Sequence, residues 1–271
     1  MDGNTKLVAI GAAANSCGTV TDISAAVDMV RTASQNKAFV FIDAVHFAPH
    51  QIIDVQTLGC DFLVCSSYKF CGPHAGLMYG KKSVLELLTP YKLTACTDLL
   101  PSSLSCQSSR WETGTASFEA VAGITAAVEY LASLGVRSGD CSVSDNLRTR
   151  LIASYAAIKR HEAKIAGMFL SQAATISGLT VYGVLSDDMG QRTPTFSVTM
   201  AGVTAGQLAQ HLVDRGVAAG AGHFYALQFP VRMNLTENGG FTRIGFFHYN
   251  TLEEVGRVIA ALKDISLSIQ Q

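Results

Sequence analysis

Charge is scarce in this sequence: 15% of its 271 residues are Asp, Glu, Lys or Arg, the formal net charge is −1, and the basic residues form no cluster. That removes the electrostatic case for a nucleic acid or an anionic membrane surface and leaves small molecules as the better partner class. Paired cysteine motifs are also missing. The cysteines, at 17, 60, 65, 71, 96, 106 and 141, are odd in number and show no CxxC spacing. This argues against a zinc site or a disulfide framework and for reduced thiols in a cytosol-like compartment. The first residues carry no basic stretch followed by a long apolar run, and no segment is expected to reach the ~18 apolar residues of a membrane span. A soluble, cytoplasmic protein is the expectation. A GxGxxG turn after the first strand is absent too, which sets aside a dinucleotide protein of the Rossmann kind.

What is present suits a packed α/β protein. Hydrophobic residues make up 48% of the chain, enough to bury a substantial core with much sheet. Strand-like runs at Lys6–Ala13, Phe39–Ile42, Phe62–Cys65 and Gly76–Tyr79 alternate with helical periodicity, notably a helix capped by Thr21 or Asp22 and running to about Ser34. Alternation of this kind predicts βαβ units and a mostly parallel sheet. Phe118–Leu134 reads as a helix ended by Gly135, and Gly135–Ser144 as a hinge, so we place a large domain at 1–140 and a smaller one at 141–271. The second part reads as a long helix from about Val143 to Ala174, then strands at Leu179–Tyr182, Thr195–Met200, Val217–Ala219 and Arg243–Phe247 in a mixed sheet. Helices are expected at Lys81–Leu88, Ala205–Arg215 and Leu252–Leu267. His161-Glu162 is no metalloprotease motif, because position 165 is Ile, and the RHEAK segment is expected on the solvated side of its helix. His50 and His74, in loops beside Pro, read as structural.

The chemistry-bearing residues concentrate in Phe39–Gly80. Asp43 and His46 follow the first apolar run of this stretch; Ser66, Ser67, Tyr68 and Lys69 follow the second, before a Gly72-Pro73 turn. Ligands of open α/β sheets bind where strands run out. A lone Lys past a strand is usually a solvated loop residue. A carboxylate able to keep a pyridinium nitrogen protonated, in company with an amine able to form a Schiff base, is instead the protein's share of pyridoxal phosphate chemistry.

The segments IDAVHFAPHQIIDVQTLGCDF, SSYKFCGPHAG, RWETGT and RIGFFHYNTLEEV, in this order through almost the whole chain, resemble the class V aminotransferases, specifically the cysteine desulfurase-like branch of fold-type I pyridoxal phosphate enzymes. The resemblance implies a partial, mostly parallel large domain and a smaller C-terminal α/β domain. It implies pyridoxal 5'-phosphate as cofactor, Lys69 as the Schiff-base residue, Asp43 at the pyridine nitrogen and His46 donating to the phenolic oxygen. Ser66 and Tyr68 fall at phosphate-contacting positions, the latter a His in many relatives. Asn15 falls beside the phenolic oxygen and the substrate carboxylate, and Arg243 where the family grips that carboxylate. Gly114 and Thr115 match a turn that reaches the phosphate of a neighbouring subunit's cofactor, which implies a homodimer, with Tyr91–Ser109 a loop near its interface. A small amino acid is the implied substrate.

Two departures bear on function. The persulfide-forming Cys of one desulfurase group would fall at Tyr225, and no Cys follows Cys141. A phenol cannot accept sulfane sulfur, so transaminase, lyase and racemase chemistry stay open and that route does not. Family members also carry a further segment ahead of the first strand, with a phosphate-binding loop at a helix start. Its loss would remove a few kcal/mol of cofactor affinity, at about 1.5–3 kcal/mol per charge-assisted hydrogen bond, and expose apolar sheet surface. The alternative to an enzyme is therefore a shortened family member serving as a binding or assembly protein.

Overall fold

The computed structural model describes residues 1–92, 110–112 and 114–269; from position 93 on, the expected interface loop lies outside them, as does Thr113. Two compact units are present, one formed by Met1–Gly11, Asp22–Pro49 and Ile53–Leu131, the other by Ala12–Thr21, His50–Ile52 and Ala132–Gln271.

In the first unit, β1 (Leu7–Gly11), β2 (Phe39–Asp43) and β3 (Phe62–Ser66) run parallel, and β4 (Gly76–Gly80) closes the sheet antiparallel to β3. The helix α1 (Ile23–Ser34) starts where expected: Asp22 accepts a hydrogen bond from the Ala25 N–H at 3.0 Å, and Ile23, Val27 and Val30 form the buried stripe. The one-turn helix α2 (Val55–Leu58) is capped by Asp54 in the same way, and α3 (Lys82–Leu85) is one turn where a longer helix was expected. Period-two alternation divides the sheet. Val40 and Ile42 are fully buried, whereas the opposite face carries half-exposed Phe39, Phe41 and Phe62 with Leu7 and Met78 more than half exposed. The buried carboxylate of Asp61 fastens the sheet: one oxygen accepts both the Val40 N–H and the Arg31 guanidinium at 2.8 Å.

The helix α4 (Phe118–Arg137) runs three residues past the expected stop. Gly135 is not its cap; a Cβ there would lie 2.8 Å from the Arg150 carbonyl oxygen and the Ser154 nitrogen, so glycine serves close helix packing, and Gly139, at φ +78°, is the left-handed residue that follows. By length and composition alone α4, with a mean hydropathy of 1.3 over its best window, is long and apolar enough to cross a membrane, although Glu119, Thr125, Glu129 and Ser133 interrupt its apolar residues.

The second unit holds α5 (Leu147–Ala173), β5 (Leu179–Tyr182), β6 (Thr195–Met200), α6 (Ala205–Val213), β7 (Gly220–Gly222), α7 (Gln228–Arg232), β8 (Phe241–Gly245) and α8 (Leu252–Ile269). Its sheet, in the order β5-β6-β8-β7, is antiparallel at every pairing and not mixed. The strand expected at Val217–Ala219 lies at Gly220–Gly222, and β8 starts two residues before Arg243. Phe196, Val198 and Ile244 of the sheet meet Ile165 and Phe169 of α5, Leu208 and Leu212 of α6, and Val255, Ile259 and Leu262 of α8 in one core.

Candidate functional site

In the first unit the parallel ladder carries the candidate residues to the ends of adjacent strands. Asp43 is the last residue of β2, opposite Val64 of β3. Its Oδ1 accepts the Val45 N–H at 2.9 Å, an Asx turn that lifts the chain off the sheet and places half-buried His46 in the turn. The other carboxylate oxygen has no partner among the described residues. Ser66 ends β3, and Ser67–Phe70 form a single 3-10 turn ended by Cys71 at φ +69°. Ser67, fully buried, anchors that turn: its N–H reaches the Ala75 carbonyl at 2.9 Å, its hydroxyl lies 2.5 Å from the Pro73 carbonyl, and its carbonyl accepts the Gly72 N–H at 2.8 Å. A Cβ at Gly72 would stand 2.8 Å from that of Ser67, so only glycine closes the loop.

This turn holds Lys69 half-buried, with no hydrogen-bond or ion-pair partner among the described residues and its Nζ 5.3 Å from the Tyr68 ring centre. The exposed Tyr68 ring stacks on His74 at 4.9 Å and 19°. Gly114 and Thr115 stand exposed, with open space around the position of a Cβ at Gly114.

In the second unit the structure brings Asn15 and Arg243 together. The Arg243 Nη1 donates to the Asn15 carbonyl at 2.9 Å, and the Asn15 Nδ2 donates to the Phe224 carbonyl at 2.9 Å. The guanidinium lies 4.1 Å above the Phe224 ring, and burial lowers its pKa from the usual arginine value. The Asn15 loop is fixed by residues that the sequence reading passed over. Arg192, with no exposed surface, donates to the carbonyls of Thr193, Val184 and Thr195 at 3.1, 2.5 and 2.7 Å and stacks on Phe196 at 4.0 Å. Burial, with no carboxylate partner among the described residues, brings its pKa down to about 10. Ser197 donates to the Ser16 carbonyl, and Gly18, at φ +79°, has no room for a Cβ against the Thr195 carbonyl. An Arg ahead of Thr-Pro reads as a surface residue, so nothing in the pattern marks it. Glu162 differs from expectation as well: it is fully buried within RHEAK and lies 2.9 Å from His50 Nδ1.

An aminotransferase-like protein of Gibberella zeae is 30% identical over 96% of this chain and 59% of its own length. A probable cysteine desulfurase of Mycobacterium leprae is 27% identical over 97% of the chain and 57% of its own length. The chain thus spans less than two thirds of these relatives. Among solved structures, the apo cysteine desulfurase of Thermococcus onnurineus shares the fold at a TM-score of 0.76 and 20% identity, covering 98% of this chain and 61% of that one. The CsdA cysteine desulfurase of Escherichia coli does so at 0.75 and 23%, covering 99% and 61%. A family model described as Aminotransferase class-V matches residues 1–258, and the chain belongs to that pyridoxal phosphate-dependent family.

Proposed function

We propose that this chain is a pyridoxal phosphate-dependent transferase or lyase that acts on a small amino acid. The observation that supports it most is the placement of two groups at the same ends of neighbouring parallel strands: Asp43, with one oxygen free of partners among the described residues, at the last position of β2, and Lys69, with no hydrogen-bond or ion-pair partner among them, in the turn after β3. A carboxylate for the ring nitrogen and an amine for the aldehyde are the groups this cofactor requires, so the donor set fits it. When bound, the cofactor supplies an electron sink for chemistry at the amino acid's Cα.

The chain's own residues then take distinct parts. Asp43 would keep the proton on the ring nitrogen, and Lys69 would hold the aldehyde carbon until the substrate amine takes its place, its freed amine then moving the proton at the substrate Cα. By the family likeness, His46 would donate to the phenolic oxygen and Ser66 and Tyr68 to the phosphate, and Asn15 has the part of the family residue beside the phenolic oxygen. Arg243 grips the α-carboxylate through its planar fork. Gly114 and Thr115 would serve the phosphate of a second subunit, which makes a homodimer part of the proposal. The free thiols of Cys17, Cys60, Cys65, Cys71 and Cys141 support a cytoplasmic location. Tyr225 offers no thiol, so sulfur transfer through a persulfide at that turn is not proposed.

Titration of the folded chain with pyridoxal phosphate tests this reading. A new visible absorption band is expected, lost in Lys69→Ala, with apparent affinity about tenfold weaker in Asp43→Asn, the cost of one charge-assisted contact. An identical band in Lys69→Ala would contradict it. The exposed Leu7 and Met78 and the half-exposed phenylalanines favour a second reading, a family member used for binding or assembly without turnover. Turnover of any amino acid by the isolated chain excludes that second reading.

A further inference from the structure

Phe224 stands in an arrangement that its sequence position does not announce. It and Tyr225 are consecutive non-glycine residues in the left-handed region, at φ +48° and +64°, a strained conformation that persists only where its surroundings hold it. Three contacts do so: the Phe224 carbonyl takes the Asn15 Nδ2 at 2.9 Å, its ring meets Phe241 at 5.6 Å, and its face lies 4.1 Å from the Arg243 guanidinium carbon. Arg243 is paired across the ladder with Gly220. Opposite residues of an antiparallel pair hold their side chains against one another; here the glycine leaves that space to the Phe224 ring. A Cβ at Gly220 would stand 3.3 Å from the Phe224 Cε1. The guanidinium thus has one face on a ring and Nη1 on the Asn15 carbonyl, while Nε and Nη2 have no partner among the described residues.

We propose that Phe224, seated in the space left by Gly220, is a positioning residue that fixes the plane of Arg243 and presents its open edge to the carboxylate of an α-amino acid. This rests on the reading of Arg243 as the carboxylate clamp. A flexible guanidinium must be ordered on binding; one already stacked and hydrogen-bonded has its orientation set beforehand, and an aromatic face tolerates its charge. The ring is what the arrangement needs, so tyrosine should serve and leucine should not.

The test uses phenylglyoxal labelling of the folded chain, with modified Arg243 quantified by peptide mass spectrometry across a titration of L-alanine. Alanine is expected to protect Arg243 in the unsubstituted chain. The half-protecting concentration should rise about fivefold in Phe224→Leu, the size expected for loss of a partly desolvated cation–π contact. It should return to the original value in Phe224→Tyr and rise in Gly220→Ala, which crowds the ring, with urea midpoints recorded for each. Equal half-protection in the unsubstituted chain, Phe224→Leu and Gly220→Ala overturns the proposal, as does no protection by alanine. The cofactor reading is judged separately, from borohydride-reduced adduct on Lys69 in parallel samples: lack of adduct removes that reading, while the Phe224 comparison stands on its own.

Discussion

Glu162 and His50 meet in the interior of the second unit, where water cannot share their charge: Nδ1 lies 2.9 and 3.0 Å from the two carboxyl oxygens. Burial pushes the Glu162 carboxyl up to about 9 and the His50 imidazole down to about 3. Whichever partner carries it, the folded pair holds one shared proton and no net charge across that range. In the unfolded chain, with ordinary values of 4.5 and 6.5, the same two groups hold two protons below 4.5, one between, and none above 6.5. Their contribution to stability is therefore flat between about pH 4.5 and 6.5. It falls as pH rises from there toward 9 and as pH drops below 4.5 toward 3, each limb at up to about 1.4 kcal/mol per pH unit. Urea midpoints across this range should show both limbs, and the double substitution His50→Gln, Glu162→Gln should flatten the alkaline one. An unchanged alkaline slope in that variant would contradict the assignment. This pair shows where sequence reading stops. His50 beside Pro49 is legible as structural, but its partner lies 112 positions away in a charged run that looks solvated. Asp43 and Lys69 are singled out by position alone: Asp43 directly follows one apolar run and Lys69 comes four residues after another, and the fold puts Asp43 at the last position of β2 and Lys69 in the turn after β3.

Among the elements, glycine and buried carboxylates decide the geometry. A Cβ at Gly135 would press on backbone atoms of α5, which cannot rotate away, so Gly135→Ala should destabilise the protein by about 1–3 kcal/mol despite its better helix propensity. A thermal midpoint equal to or above that of the unsubstituted chain would show that the helices do not approach so closely. Asp61→Ala should cost about 2–4 kcal/mol, because it strips the Val40 N–H of its partner and leaves Arg31 without its ion pair; hydrogen exchange at Val40 would report the loss directly. Strand and helix types were legible from period and caps, as the Asp22 cap and the Val40/Ile42 alternation illustrate. Boundaries failed where glycine removed the signal. Gly135 resembles a helix stop until its packing partner is known, and β7 is Gly-Ala-Gly, which has no side-chain pattern to fix its register, so it was placed three residues early.

At the scale of the whole molecule, a family fold is retained over a chain that spans 59% of the Gibberella zeae relative. The family and its fold were legible because four motifs keep their order from Ile42 to Val255. The second unit's antiparallel sheet was not, since the direction of its short strands depends on connections that carry no pattern. The first unit's sheet presents Leu7 at 52% and Met78 at 54% exposure, with Phe39, Phe41 and Phe62 alongside. A folded protein with such a face should bind the dye anilinonaphthalene sulfonate, and Leu7→Lys with Met78→Lys should reduce that binding at unchanged circular dichroism. Equal fluorescence in the variant would place the dye elsewhere.

The central proposal is that Lys69 and Asp43 form a working cofactor anchor in this chain. Borohydride trapping tests it most directly: the folded protein is incubated with pyridoxal phosphate, reduced, digested and mapped. The account predicts one dominant pyridoxyl-lysine at Lys69, diminished in Asp43→Asn and absent in Lys69→Ala. Label scattered over surface lysines such as Lys37, Lys81 and Lys82, with none favouring Lys69, would contradict it.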